Sequence, residues 1–171
     1  MAFSAKDVQA LREMTGVGMM DCKKALAAAD GDKDKAIEWL REKGLAAQTK
    51  KAGKIAAEGV AYAIVDESGV GVVIEVNSQT DFVAKNEVFQ DFVNNLAAIV
   101  AKENPADVAA LQECKYPGED RTVANVLADK VLSIGENIQI RRFVRYAEGV
   151  NVPYIHAGGK VGVLVNMEVE G

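Results

Sequence analysis

The chain has 171 residues, which is enough for one medium domain or two small ones with a sizeable core. Its 25 acidic residues exceed its 20 basic ones and give a formal net charge of −5, so the overall charge provides no reason to expect nucleic acid as a partner. The sequence begins without the apolar core of a signal peptide and has no window with the roughly 18 apolar residues of a membrane span, so we expect a cytoplasmic protein that does not bind membranes.

Three short helices are predicted between residues 4 and 44. Ser4 followed three residues later by Asp7 is typical of a capping box, and residues 15–18 end the first helix because they contain two glycines. Apolar residues of this helix follow at near-helical spacing, at Val8, Leu11 and Met14.

The second and third helices carry apolar stripes of their own. The third helix begins with Asp32 as its N-cap and is predicted to stop at Gly44. The stripe of the second helix, which ends at residues 30–31, is formed by Cys22, Ala25, Leu26 and Ala29. The inward residues of the third helix are Ala36, Ile37 and Leu40.

Two methionines stand at the start of the second helix. On a helical wheel Met20 lies nearly opposite the centre of the apolar stripe, and Met19 lies at its edge. Methionine suits both a small core and an adaptable contact surface. Two interpretations therefore stay open: an outward Met20 on a binding surface, or a helix that begins later and has both methionines capping the core.

Residues 46–58 are predicted to form a basic connection that is rich in small residues and partly helical. Three lysines lie within five positions of it, at Lys50, Lys51 and Lys54. Such a cluster suits either a solvated linker or a contact with phosphate or an acidic partner.

Residues 60–65 and 70–76 are rich in β-branched side chains and are joined by the turn-forming residues 66–69. This pattern predicts an antiparallel hairpin. One face of the second strand is formed by Val70, Val72, Ile74 and Val76.

A long helix and a third strand are predicted to follow. Asn86 is a suitable N-cap, and the helix should end before Pro105. We expect this helix to lie across the hairpin with an apolar stripe of Phe89, Phe92, Val93, Leu96, Ile99 and Val100. A shorter helix covers residues 122–132, and a strand covers residues 138–146. In that strand one face is predicted to contain Ile138, Ile140, Val144 and Tyr146, with Arg142 as a polar exception.

The sequence contains an internal repeat. Residues 70–74 (VGVVI) recur as residues 161–165 (VGVLV), which predicts a duplicated α/β unit whose second copy begins near Gly149. The chain would then be part of a longer protein, and its last strands would be open edges unless they pair with the first unit. If the edges are open, we expect this chain to self-associate more strongly than a chain that continues through a complete second unit.

The sequence offers little for bond chemistry. His156 is the only histidine, and neither Cys22 nor Cys114 stands in the context of a metal site, a disulfide framework or a catalytic pair. The glycines at residues 16–18 and 158–159 lack the other residues of a phosphate-binding loop. We therefore expect no enzymatic activity, no cofactor and no bound metal.

The most informative stretch is residues 77–86 (NSQTDFVAKN), which follow a strand and place Phe82 beside a carboxylate in a polar connection. A phenylalanine there either folds back onto the core or waits for a partner. Burying such a ring is worth roughly 1.5–3 kcal/mol, so a ring left in water would favour a pocket on another molecule.

Three stretches of the chain resemble the elongation factor Ts family, the guanine-nucleotide exchange factors of the translational GTPase elongation factor Tu. They are residues 11–26 (LREMTGVGMMDCKKAL), residues 80–86 (TDFVAKN) and residues 134–138 (IGENI) followed by Arg141 and Arg142. The similarity extends from about Lys6 to Val165, and the three motifs occur in the order of the family.

The resemblance implies an α+β fold. It has an N-terminal three-helix module like that of ubiquitin-associated (UBA) domains, an α/β core subdomain with an antiparallel three-stranded sheet, and the start of a second, repeated subdomain. We expect the divisions at residues 1–45 for the helical module, 46–58 for the linker, 59–148 for the first core subdomain and 149–171 for the second. Family members usually continue through the second subdomain, so we expect that this sequence lacks the C-terminal part of it.

The resemblance also implies the site residues. The segment of Thr80, Asp81, Phe82 and Val83 intrudes near the magnesium site of the partner, and the ring of Phe82 acts as a wedge. Asp81 has an electrostatic or hydrogen-bonding role, while Thr80 and Val83 set the shape of the segment. The implied partner-binding residues are Arg12, Met19, Met20, Ile134, Gly135, Asn137 and His156.

The implied partner is elongation factor Tu in its GDP-bound and nucleotide-free forms, and a higher-order assembly of that complex stays open. One alternative is a protein-interaction module without an effect on nucleotides. The others are a small enzyme that uses His156 and an RNA-associated or ribosome-associated protein that uses Lys50, Lys51, Lys54, Arg141 and Arg142. Net charge and the missing catalytic partners argue against these last two, whereas the resemblance alone separates the exchange factor from the interaction module.

Overall fold

The computed structural model describes residues 3–170, which form helices and strands in an α+β arrangement. The helices are α1 (Ala5–Thr15), α2 (Met19–Ala28), α3 (Lys33–Lys51), α4 (Asp81–Ala84), α5 (Glu87–Glu103), α6 (Val108–Glu113) and α7 (Val123–Ile134). The strands are β1 (Glu58–Val65), β2 (Gly71–Ser78), β3 (Gln139–Tyr146), β4 (Val150–His156) and β5 (Val161–Met167). None of the helices in this part of the chain is long and apolar enough to cross a membrane.

The first compact unit, here called the helical unit, contains the residues up to Lys54 and Asn125–Asn137. The predicted capping box starts α1, because the Ser4 N–H donates to Asp7 Oδ2 at 2.8 Å and the Asp7 N–H donates to the Ser4 hydroxyl. α1 ends at Gly16, which takes the left-handed conformation with φ 66°. The apolar stripes meet in one core of Val8, Leu11, Val17, Cys22, Ala25, Leu26, Ala29, Ala36 and Leu40.

Helix α3 is longer than the sequence predicts, and the predicted stop at Gly44 is wrong. A Cβ atom at Gly44 would lie 3.1 Å from the carbonyl oxygen of Ala128 in α7. The glycine therefore permits a close approach of two helices instead of ending one of them. Residues 45–48 (LAAQ) are good helix formers, so α3 continues to Lys51 and includes the first part of the predicted linker at 46–58.

Met14 is not buried with Val8 and Leu11, since its side chain is 65% exposed. Each step of three residues falls short of a full helical turn. Met14 therefore lies about 120° around α1 from Val8, at the edge of the stripe that packs into the core.

The second compact unit, here called the sheet unit, contains Ile55–Ala124 and residues 138–170. The predicted hairpin is confirmed, and β3 extends it to an antiparallel sheet in the order β1-β2-β3. Asp66 fixes the turn, because its Oδ1 accepts hydrogen bonds from the N–H groups of Ser68 and Val70, both at 2.9 Å.

Helix α5 covers one face of this sheet, as predicted. The Asn86 side chain caps it by accepting the Val88 N–H at 2.9 Å. All six predicted stripe residues are buried, and they meet the buried face of β2, formed by Val72, Ile74 and Val76. Val70, just before the strand, is buried as well.

Strand β3 contains a bulge that the sequence did not reveal, so the predicted common face is wrong. Ile140 pairs with Val76, but Arg142 pairs with Glu75, so Arg141 is an extra residue between them. Beyond the bulge Phe143 takes the core side. The residues transferred to the opposite side are Arg142, Val144 and Tyr146.

The β4–β5 hairpin forms a separate two-stranded sheet that packs on the first sheet within the sheet unit. The Ala61 N–H of β1 donates to the Gly159 carbonyl at 2.8 Å, and a Cβ at Gly162 would lie 3.1 Å from Ala61. The repeated sequences at 70–74 and 161–165 both run into the second strand of a hairpin. The subdomain boundaries at 45, 58 and 148 stay a prediction.

Candidate functional site

The connection between β2 and α5 forms a tight helical turn, α4. Thr80 is extended and its hydroxyl accepts the Val83 N–H at 3.4 Å, so it acts as the N-cap. The Lys85 N–H then donates to the Asp81 carbonyl at 3.2 Å. Asn86 follows at once as the cap of α5, so two caps within seven residues force the chain around a corner.

Buried groups hold this turn on both sides. The fully buried Ser78 donates its hydroxyl hydrogen to the Thr80 carbonyl at 3.0 Å. On the other side Ala84 is buried, and its carbonyl accepts from Gln90 Nε2 of α5 at 3.2 Å. The segment is therefore an ordered part of the sheet unit, and its outward side chain has a defined position.

The outward side chain is Phe82, whose exposed fraction is 81%. The helical turn places Ala84 against the sheet and directs Phe82 away from it. Leaving an aromatic ring in water forfeits roughly 1.5–3 kcal/mol of burial free energy, which a pocket on another molecule could recover.

Asp81 stands beside the ring and is part of a charged network. Its Oδ2 lies 2.9 Å from Lys85 Nζ. That hydrogen bond, with a further contribution from the positive charge of Lys160, holds the pKa of the Asp81 carboxyl below its usual range. The side chain is therefore a carboxylate at neutral pH.

Lys85 and Lys160 were not predicted as parts of the site. Lys85 had a signal in the sequence, because an Asp–Lys pair at i, i+4 meets on one helix face. No such signal marked Lys160 in the sequence, because it is the last residue of the turn between β4 and β5 and comes close to Asp81 only through the packing of the second hairpin. Lys160 is itself paired with Glu58, which raises the pKa of its ammonium group.

His156 lies at the end of β4, before the turn that leads to Lys160. It is exposed, and its Nδ1 lies 2.9 Å from the Tyr154 hydroxyl oxygen. The structure thus places His156 in the sheet unit together with the Phe82 segment.

The other predicted residues lie in the helical unit. Arg12 is exposed on α1, and Met19 and Met20 are 45% and 63% exposed at the start of α2. Because α2 begins at Met19, the alternative in which the helix starts later and both methionines cap the core is wrong.

The turn after α7 carries the last group of predicted residues. Gly135 is exposed with φ 85°, and its carbonyl accepts a hydrogen bond from Lys51 Nζ. Ile134 is half-buried. Asn137 is buried, and its Nδ2 donates to the Lys54 carbonyl at 2.7 Å, so its side chain shapes the turn instead of facing outward.

A cluster of three or more His, Cys, Asp or Glu side chains suited to a metal ion is absent from residues 3–170. The sheet unit presents an exposed aromatic ring and a salt-bridged carboxylate, and the helical unit presents exposed methionines. They are suited to contact with another macromolecule.

The fold and these surfaces define an α+β protein with an N-terminal helical module and a sheet unit that presents an aromatic side chain from a rigid turn. A sequence model of the family described as "Elongation factor TS" matches residues 79–171. The chain belongs to the elongation factor Ts family.

Similar proteins named "Elongation factor Ts" cover nearly the whole chain. The protein of Syntrophotalea carbinolica is 50% identical over 170 residues, which are 98% of this chain and 56% of the relative. That of Trichlorobacter lovleyi is 52% identical over 169 residues, 96% of this chain and 54% of the relative. That of Halothermothrix orenii is 48% identical over 173 residues, 99% of this chain and 58% of the relative. The chain thus spans about half the length of the curated relatives it matches.

Proposed function

We propose that this chain is a guanine-nucleotide exchange factor that acts in translation elongation. It binds elongation factor Tu and promotes the release of GDP by disturbing the magnesium site of that protein. The observation that carries the proposal is the exposed ring of Phe82 on a turn held by caps and buried groups. The family resemblance supplies the identity of the partner.

The mechanism is mechanical. The ring of Phe82 enters between side chains of the GTPase domain and displaces the groups that position the magnesium ion. Magnesium demands near-ideal octahedral geometry, so a shift of a fraction of an ångström in its ligands or bridging waters weakens its hold on the nucleotide phosphates. GDP then loses its counter-charge and dissociates, and the exchange factor makes or breaks no covalent bond.

Asp81 adds an electrostatic contribution. It is negatively charged at neutral pH, and the hydrogen bond from Lys85 holds its pKa below the usual range. A carboxylate brought near the magnesium site competes with the nucleotide phosphates for the cation and accepts hydrogen bonds from the partner. Thr80 and Val83 shape the turn, since the hydroxyl of one caps the N–H of the other.

Docking uses the other predicted residues. Arg12, Met19 and Met20 offer a charged group and two flexible apolar side chains to the GTPase. Ile134 and Gly135 provide backbone and apolar contact, and Asn137 holds their turn in place through its bond to the Lys54 carbonyl. The exposed His156 contributes from the sheet unit.

The binding of nucleotide and the binding of this chain to elongation factor Tu are thermodynamically coupled. A factor that weakens nucleotide binding must itself be bound more weakly by the nucleotide-loaded partner, by the same ratio. The chain therefore binds nucleotide-free elongation factor Tu most tightly and the GDP-bound form less tightly, and GTP in excess displaces it. We place this activity in the cytoplasm, where translation occurs, without a role for membrane or direct nucleic-acid contact.

The test is a stopped-flow measurement of fluorescent GDP release from elongation factor Tu with increasing amounts of this chain. The expected result is a release rate that rises with concentration and saturates, while the final balance of GDP and GTP stays unchanged. Binding of the partner without faster GDP release would contradict the proposal and favour a plain interaction module.

A further inference from the structure

The turn between β4 and β5 has an unusual backbone. Ala157, Gly158 and Gly159 take φ angles of 50°, 64° and 93°, so three consecutive residues lie in the left-handed region. Alanine rarely adopts this conformation, because its Cβ then comes too close to the backbone. A strained residue persists only where the surrounding structure holds it, and such residues are common at functional sites. The next residue along the chain is Lys160.

Strand β1 holds this turn in place. The Ala61 N–H donates to the Gly159 carbonyl at 2.8 Å. A Cβ atom at Gly159 would lie only 2.7 Å from Cγ1 of Val60, so the glycine permits a close approach of the turn to the strand. The backbone from which the Lys160 side chain extends is therefore fixed on β1.

The Lys160 side chain reaches the base of the turn that carries Phe82. Its Nζ donates to Oε2 of Glu58, the first residue of β1. Glu58 pairs with Ser78 across the two strands. The Ser78 hydroxyl in turn holds the Thr80 carbonyl at 3.0 Å, one residue before Asp81. The hairpin turn and the α4 turn are thus connected through one pair of strand residues.

Asp81 consequently faces two ammonium groups from different elements. Lys85 belongs to its own turn and lies 2.9 Å away. Lys160 comes from the second hairpin, and its charge adds to the effect of the Lys85 hydrogen bond in lowering the pKa of Asp81. The pKa of Lys160 is raised first by its hydrogen bond to Glu58 and further by the charge of Asp81.

We propose that Lys160, anchored by Glu58, is a positioning residue that holds the Asp81 carboxylate in its orientation for the magnesium site of the partner. This inference rests on the proposed exchange function. Without Lys160 the carboxylate keeps its ion pair with Lys85 but loses the cation that is fixed on β1. The direction of the Phe82 ring depends on the same contact, because Phe82 directly follows Asp81 in the turn.

Lys160→Met tests the role in exchange, since it removes the charge and keeps much of the side chain. The maximal rate of GDP release should fall about threefold to tenfold, while the concentration of this chain that gives half that rate changes less than about twofold. Lys160→Arg should restore most of the rate, because arginine keeps the charge and can pair with Glu58. The matched control is Lys115→Met, which removes another exposed lysine paired with a carboxylate, 2.7 Å from Asp120. Circular dichroism melting shows whether the variants remain folded.

A double-mutant cycle with Asp81→Asn shows whether Lys160 acts through Asp81. In that background Lys160→Met should cause no further loss of rate, because the group that it positions is no longer charged. An equal loss in both backgrounds would overturn the proposal, and so would a maximal rate that Lys160→Met leaves unchanged.

An NMR titration of the Asp81 carboxyl in the free chain provides a measurement that does not depend on the partner. Lys160→Met should raise the pKa of Asp81, whereas Lys115→Met should leave it unchanged. A titration that is the same in all three chains would overturn the proposal even if exchange is normal. If the unaltered chain itself fails to speed GDP release, the proposed function is wrong, and the titration still decides whether Lys160 acts on Asp81.

Discussion

Asp81 and Lys85 lie one helical turn apart on either side of the exposed Phe82 turn, and their Oδ2 and Nζ atoms are 2.9 Å apart. Both side chains are largely exposed, so the ion pair adds little to the global free energy of unfolding. Its effect is local, because it lowers the pKa of Asp81 and ties the start of α4 to its end. The ion pair therefore affects both the ionisation of Asp81 and the conformation of the turn that carries Phe82.

Lys85→Met tests this connection. The pKa of Asp81 is lowered in the folded protein, so the ion pair is complete above the ordinary range of a carboxyl group and is lost as the pH falls through the lowered pKa. The variant should raise the pKa of Asp81 towards its ordinary value, which an NMR titration of the side-chain carboxyl measures. GDP release should slow, because the tie between the start and the end of the turn is lost.

The control for this variant is Lys102→Met, which removes another exposed, paired lysine 3.6 Å from Glu103 at the end of α5. It should leave both the Asp81 titration and the release rate unchanged. If Lys85→Met leaves the Asp81 titration where it was, the ion pair does not exist in solution.

Phe82→Ala tests the proposed wedge. The ring is exposed in the free chain, so its removal should change the free energy of unfolding by less than about 0.5 kcal/mol. GDP release should slow at least about tenfold, which corresponds to 1.4 kcal/mol of activation free energy. Affinity for nucleotide-free elongation factor Tu should fall less than the rate does.

Ile55→Ala is the matched control for Phe82→Ala, because Ile55 is an apolar side chain of the sheet unit with an exposed fraction of 84%. Stopped-flow release and calorimetric binding with this variant should match those of the unaltered chain. An equal loss of rate in both variants would show that general surface hydrophobicity, not the position of Phe82, supports exchange.

Local patterns predicted most of the elements because each depends on residues close in sequence. The capping box of α1, the β1–β2 hairpin and the stripe of α5 are of this kind. The bulge at Arg141 and the continuation of α3 through Gly44 were missed because each depends on a distant partner, β2 in one case and Ala128 in the other. The same glycine signal fits a helix stop and a close helix contact.

In the candidate site, too, features that depend on nearby residues could be predicted and those that depend on distant residues could not. The sequence left open whether Phe82 packs on the core or is exposed, and the structure shows that it is exposed. The pair of Asp81 with Lys85 follows from their spacing. The influence of Lys160 on Asp81 could not be predicted, because it depends on how the second hairpin packs on β1. The burial of Asn137 could not be predicted from the sequence either, because its hydrogen-bond partner Lys54 lies 83 positions away.

Met20→Ala tests docking by the helical unit. Met20 should lose contact area with elongation factor Tu, and calorimetry should record an affinity about fivefold to thirtyfold weaker for the nucleotide-free partner. Met14→Ala is the control, because Met14 is an equally exposed methionine of the same unit, at 65% against 63% for Met20. Its affinity should remain within about twofold of the unaltered value. Equal binding by the two variants would remove Met20 from the proposed contact surface.

Gly59→Ala tests how strictly the sheet unit depends on its first strand. Gly59 has φ 136°, and a Cβ atom there would lie 2.2 Å from the Val76 carbonyl oxygen of the paired strand. The variant must strain β1 or break its pairing with β2, so we expect the free energy of unfolding, measured by urea denaturation, to fall by about 2 kcal/mol or more.

Gly53→Ala is the control, since a Cβ at Gly53 meets no atom within 4 Å and its φ is not positive. That change should be neutral or stabilise by up to about 1 kcal/mol, because alanine has fewer conformations than glycine in the unfolded chain. Similar urea midpoints for the two variants would mean that β1 does not approach β2 as closely as the structure places it.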